Sequence, residues 1–244
     1  MESVERNGFL RRAVGRPVLM LRDALARGLI ALRVSPDVLT FLGLPATGLA
    51  AVLLAGGLFR WGALVVAVAG ILDILDGAVA RLADRRTSFG AFFDSTIDRY
   101  SDILLFGGLM VHYVRGGSLT MVLVTLAALA GALVTSYSRA RAECFIESCK
   151  VGLVERGERI AAVIVGALSG HVTTALWMLA VLTNLTVLVR IHHTRRELAG
   201  RPAPPRRGAR GFLYHVLFWD YERSSLPYDV ACLAGVLFIV LVKL

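Results

Sequence analysis

Four aspartates set inside apolar sequence constrain this chain more than any other feature. Asp73 and Asp76, then Asp94 and Asp98, lie between the apolar runs 64–75 and 103–111. Separations of three and four residues put each pair on one face of a helix, if both runs are helical. An ionised carboxylate at a membrane-buried surface is costly unless it is paired or bound to a cation. No Lys lies between the four. The expectation is a divalent metal site, and hard oxygen ligands suit Mg²⁺ or Mn²⁺.

The bulk composition agrees with a membrane setting. Of 244 residues 56% are hydrophobic, against about 45–50% in a soluble domain. The mean hydropathy is +0.67. The formal charge of +9 falls largely between apolar runs, which fits positive-inside topology better than nucleic-acid binding. Cys144, Cys149 and Cys232 form neither a zinc pattern nor a redox pair. The charged N-terminus lacks the early apolar core of a cleavable signal peptide.

The expected fold is an all-α integral-membrane protein. It has a six-transmembrane-helix bundle, an N-terminal amphipathic interfacial helix and an extra C-terminal hydrophobic helix. Residues 1–33 carry Arg6, Arg11, Arg12, Arg16, Arg22, Arg27 and Arg33, with Val14, Val18, Leu21, Leu25 and Leu29 at helical spacing. That pattern suits the cytoplasmic membrane interface, or packing on a protein partner. Ser35 can cap the first span and Pro36 suits its first turn. The spans are expected at about 40–59, 61–82, 90–114, 118–141, 160–169 and 173–191. Arg60 and Trp61 then mark an outer turn, and the short fifth span is expected to extend over 155–170. Arg81, Arg85 and Arg86, like His192, His193, Arg195 and Arg196, mark inner ends. Residues 34–196 are the expected catalytic unit, and 197–226 a basic linker with an interfacial segment. Residues 227–244 are a C-terminal hydrophobic helix, either a seventh span or interfacial.

The motif D-x2-D-G-x2-A-R-x8-G-x3-D-x3-D is met at Asp73, Asp76, Gly77, Ala80, Arg81, Gly90, Asp94 and Asp98. It resembles the signature of the CDP-alcohol phosphatidyltransferase family. The resemblance implies transfer of a phosphatidyl group from CDP-diacylglycerol, or an archaeal diether equivalent, to an alcohol with release of CMP. It implies two ions, Mg²⁺ or Mn²⁺, on Asp73, Asp76, Asp94 and Asp98, with Asp98 also the general base. Pro36, Asp37, Thr40, Gly77, Ala80, Arg81, Thr87 and Gly90 would meet the CDP-lipid. A homodimer is likewise implied. The Arg-rich inner loops put both chain ends of the six spans, and with them the active site, on the cytoplasmic side of the cell membrane.

The segments S-Y-S-R-A-R-A-E at 136–143 and G-L-V-E-R-G-E-R at 152–159 resemble the prokaryotic phosphatidylinositol-phosphate synthase branch. Ser136, Arg139, Arg156 and Arg190 would then hold the acceptor phosphate, with Arg195 as the alternative to Arg190. Arginines at the inner ends of three helices can converge on a dianion, which a neutral alcohol would not need. Inositol 1-phosphate is the expected acceptor and glycerol 3-phosphate the second. Serine or free inositol comes third. From a different class, the same carboxylates would suit a divalent-cation transporter. Binding of nucleic acid is not expected.

Overall fold

The computed structural model describes residues 16–84, 87–200 and 226–242, without the side chains of 16–18, 37 and 226. Eight helices and no strand occur among the described residues. They are α1 (Arg16–Ala31), α2 (Pro36–Ala55), α3 (Phe59–Leu82), α4 (Ser88–Arg115), α5 (Leu119–Ala142), α6 (Arg156–Ser169), α7 (Val172–Leu198) and α8 (Leu226–Leu241). The expectations for 1–15, Arg85, Arg86 and 201–225 lie outside the described residues.

Four described helices are long and apolar enough to cross a membrane: Val38–Ala55, Phe59–Leu82, Leu119–Ala142 and Val172–Leu198. α4 is longer but carries Asp94, Asp98, Arg99 and Asp102. α6 has 14 residues, about 21 Å, short of the roughly 30 Å hydrocarbon layer. Large apolar side chains point outward, such as Val52, Val68, Leu123 and Leu188. Water would not tolerate so much of this surface, whereas lipid does. The chain is a membrane protein.

Several boundaries differ from expectation. Gly56 ends α2 and Gly57 takes φ +78°, a conformation side chains resist. The turn therefore comes at 56–58, and Arg60 and Trp61 sit inside the first turn of α3. Ser35 holds the extended N-cap position of α2, but its side chain makes no cap bond. α7 continues through His192, His193, Arg195 and Arg196 to Leu198. Polar side chains do not stop a helix, and a left-handed backbone comes only at Gly200. α1 buries Ala26, with Leu29 and Ile30, against Leu75, Ala78 and Val79 of α3. Leu21 and Leu25 of the expected apolar line face outward instead.

Alternating helix directions bring the end of α3, the starts of α4 and α6, and the ends of α5 and α7 to one end of the bundle. The α2–α3 and α4–α5 turns lie at the other, joined by the edge-to-face contact of Phe59 with His112 at 4.7 Å. α2 and α4 cross tightly, because a Cβ on Gly108 would lie 2.4 Å from the Ala51 carbonyl oxygen. α4 and α6 are tied by Arg159 and Asp102, 2.9 Å apart and only 1% and 2% exposed.

α8 runs alongside α6. The Tyr228 hydroxyl donates to Glu158 at the start of α6. The Thr174 hydroxyl donates to the Val242 carbonyl, 2.7 Å, at the opposite end. Ile239 between them is buried in the main core.

Two outcomes are expected in detergent-solubilised thermal unfolding. Gly108→Ala forces α2 and α4 apart and costs about 1–3 kcal/mol, whereas Gly107→Ala, with nothing within 4 Å, leaves the melting temperature in place. Arg159→Met strands Asp102 and costs about 3–5 kcal/mol, most of which Asp102→Leu restores in the double variant.

Candidate active site

The carboxylates sit where α3 and α4 approach each other. Asp73 and Asp76 come from the third and second turns before the end of α3, and Asp94 and Asp98 from the first turns of α4. Asp73, Asp76 and Asp94 each offer an oxygen within 4.8 Å of the others. Asp76 is buried and accepts a 2.7 Å bond from the Thr40 hydroxyl on α2. Three carboxylates this close repel one another, and a divalent cation would relieve that repulsion through hard oxygen donors. The residues present therefore fit an Mg²⁺ or Mn²⁺ site.

Asp98, the fourth expected ligand, stands outside that trio. One helical turn beyond Asp94, it faces α6 and lies 2.8 Å from Arg156 Nη1. The same Nη1 donates to both oxygens of Asp73 at 2.8 Å. Arg156, expected at an acceptor phosphate, thus bridges the carboxylates of two helices here. Arg99 lies 3.5 Å from the other oxygen of Asp98.

Two cavities flank the carboxylates. One, of about 350 Å³, is lined by Pro36, Thr40, Asp76, Gly77, Ala80, Arg81, Thr87, Gly90 and Asp94. Every residue expected at the CDP-lipid lines it except Asp37, whose side chain lies outside the described residues. Thr87 accepts the Gly90 N–H at 2.9 Å and so caps α4. A Cβ on Gly90 would lie 3.0 Å from that hydroxyl, so the cap itself favours glycine. At Gly77 a Cβ would meet Arg81 at an ordinary 3.5 Å, and a longer side chain would enter the cavity.

The other cavity, of about 290 Å³, is lined by Asp98 with Ser95, Arg99, Thr135, Ser136, Arg139, Glu143, Glu155, Arg156, Arg159 and Arg190. It gathers Ser136, Arg139, Arg156 and Arg190 from three helices; Arg195 is not among its lining residues. Arg139 pairs with Glu143 at 3.0 Å and Glu155 at 3.4 Å. Burial raises the Glu143 carboxyl, but the Arg139 hydrogen bond and the Cys149 N–H outweigh it and hold the group below its ordinary value. Arg190 is buried; Nε donates to the Val151 carbonyl at 3.0 Å and Nη1 to that of Thr135. Its Nη2 lies 3.5 Å from Glu155.

Sequence reasoning missed Arg99, Arg159, Glu143 and Glu155. Arg159 stands three residues after Arg156, a separation that shares one helix face. Its Nε and Nη1 are buried and without a hydrogen-bond partner. Glu155 and Glu158 form a capping box at the start of α6, and Glu at the N-cap in place of the usual Ser, Thr, Asp or Asn hid it from the motif.

A family model described as CDP-alcohol phosphatidyltransferase matches residues 33–196. The phosphatidylinositol phosphate synthase of Mycobacteroides abscessus is 38% identical over 185 residues, covering 72% of this chain and 84% of that protein. The archaetidylinositol phosphate synthase of Methanothermobacter thermautotrophicus is 39% identical over 150 residues, covering 59% and 74%. A crystal structure of Mycobacterium tuberculosis phosphatidylinositol phosphate synthase with CDP-DAG bound matches with TM-score 0.66 at 34% identity, over 72% of this chain and 94% of that one. The same enzyme in complex with manganese and citrate gives 0.67 at 34% identity, over 79% and 98%. The matched residues contain the carboxylates and both cavities. The chain belongs to the CDP-alcohol phosphatidyltransferase family.

Proposed function

We propose that this enzyme transfers the phosphatidyl group of CDP-diacylglycerol, or of a diether equivalent, to inositol 1-phosphate, giving phosphatidylinositol phosphate and CMP. The observation that carries this reading is the basic cavity. Five arginines line it beside Asp98, and a phosphorylated alcohol needs such charge where a neutral alcohol does not. The names of the similar synthases support the same acceptor. Glycerol 3-phosphate is the runner-up, because its phosphate would meet the same arginines. Family membership weighs against cation transport.

Asp73, Asp76 and Asp94 would hold Mg²⁺ or Mn²⁺, two ions with Asp98 as a further ligand. Bound there, they would neutralise the pyrophosphate and polarise the phosphorus under attack. Arg81 and Thr87, with the open backbone at Gly77, would seat the CDP moiety beside Pro36, Asp37, Thr40, Ala80 and Gly90. Arg139, Arg156 and Arg190, with Ser136, would orient the acceptor phosphate in the opposite cavity. Asp98 lines that cavity, one helical turn from Asp94 of the other, and would take the proton of the acceptor hydroxyl. That oxygen then bonds to the lipid-linked phosphorus, and the bond from this phosphorus to the CMP oxygen breaks. Positioning and charge neutralisation dominate such a transfer.

The topology that suits this chemistry has six spans, α2–α7, forming one unit over residues 34–196. α1 would lie at the interface, and residues 197–226 would link the unit to the C-terminal helix over 227–244. Arg81, Arg139, Arg141, Arg195 and Arg196 cluster at the carboxylate end, against Arg60 and Arg115 at the other, so the site would face the cytoplasm. Assembly as a homodimer follows the family.

Purified protein with CDP-diacylglycerol and Mg²⁺ should release CMP with inositol 1-phosphate, and not with glycerol 3-phosphate, free inositol or serine. Asp98→Asn should lower the rate about 100-fold or more, and Arg139→Ala should raise the acceptor KM. Turnover with a different acceptor alone would overturn the assignment. Chelation should abolish turnover. Mn²⁺ binding followed by electron paramagnetic resonance should weaken in Asp76→Asn and in Asp94→Asn, and should strengthen with added CMP; indifference to CMP would count against a shared metal–nucleotide site.

A further inference from the structure

The C-terminal helix is connected to the basic cavity by side chains. α8 lies beyond the family-matched residues, which end at 196. Its Tyr228 hydroxyl donates to one oxygen of Glu158. The other oxygen of Glu158 accepts the Glu155 backbone N–H at 2.9 Å. In return the Glu155 carboxylate accepts the Glu158 backbone N–H, closing the capping box. That same carboxylate lies 3.4 Å from Arg139 Nη1 and 3.5 Å from Arg190 Nη2. Arg156 and Arg159 leave the same first turns of α6.

We propose that α8 braces the basic cavity, and that Tyr228 is a positioning residue for anion binding which acts through Glu158 and Glu155. This rests on the reading of the cavity as the acceptor-phosphate site. Arginine heads held by fixed carboxylates lose little freedom when an anion arrives, whereas loose ones must be gathered at an entropic cost. Tyr228 holds Glu158 in the rotamer that closes the box. Glu155 is thereby fixed between Arg139 and Arg190. The Thr174–Val242 bond, which ties the far end of α8 to α7, lies at the opposite end of the helix from Tyr228 and serves as the internal control.

The test uses the full chain purified in detergent, as wild type, Tyr228→Phe, Glu158→Ala and Thr174→Val. Inorganic phosphate binding is titrated by calorimetry, and the KM of inositol 1-phosphate and of CDP-diacylglycerol are measured separately. Tyr228→Phe and Glu158→Ala should weaken phosphate binding and raise the acceptor KM by roughly three- to tenfold, the scale of one ordinary hydrogen bond acting through an intermediary. The donor KM should stay unchanged, and Thr174→Val should alter neither constant. Unchanged phosphate affinity in Tyr228→Phe overturns the proposal. So does a loss shared with Thr174→Val or with the donor KM, since that would mark general loosening. Wild type that binds no phosphate overturns it too. Phosphate binding that depends on Tyr228, without turnover of inositol 1-phosphate, would keep the brace and discard the acceptor.

Discussion

Carboxylates inside an apolar bundle must be neutralised, and two arginines from the start of α6 do this for α3 and α4. Arg156 reaches Asp73 and Asp98, and Arg159 reaches Asp102. Asp98 or Asp102 left alone at this depth would cost more than a typical packing defect. The first turns of α6 therefore hold the bundle together where its chemistry is concentrated. This also explains why so short a helix belongs to the core. Its contribution is charge, delivered at the depth where α3 and α4 need it.

The placement of α6 depends in turn on the segment before it. The Thr186 hydroxyl on α7 accepts the backbone N–H groups of Leu153 and Val154 at 3.2 and 3.3 Å. Arg190 takes the Val151 carbonyl. Gly152 passes close to Thr186 with φ +125°, where a Cβ would lie 2.3 Å from the threonine methyl. Arg190 is thus part of the scaffold of the basic cavity as well as of its lining. The residues that carry charge into the site also shape the backbone that presents it.

The sequence made the carboxylate region legible because the information there is local. Spacings of three and four along a helix put Asp73 near Asp76 and Asp94 near Asp98 before any tertiary contact is known. Both sets of residues expected around ligands line single cavities, apart from the undescribed side chain of Asp37. Helix ends were harder to read. Hydropathy runs on across Gly56 and Gly57, so the turn there is marked by the Gly-Gly pair and not by polarity. At the end of α7, polar residues looked like a boundary although nothing in them breaks a helix. Glu143 pairs with Arg139 at the readable i,i+4 spacing, but Arg159, Glu155 and Tyr228 act through partners up to 70 positions away, and no periodicity encodes such pairings. They became visible only once α4, α5, α6, α7 and α8 were assembled.

The Asp102–Arg159 pair also bears on how the bundle is made. The two residues are 57 positions apart, and Asp73 waits 83 positions for Arg156. At about 5–20 residues per second of synthesis, α4 is complete several seconds before α6 exists. An aspartate at the centre of an inserting helix costs about 2.5–3.5 kcal/mol, and α4 carries three. In the six-span arrangement, α4 would therefore wait at the translocon or the membrane surface until the first turns of α6 emerge. Co-translational insertion of this chain would then settle α4, α5 and α6 together rather than one at a time.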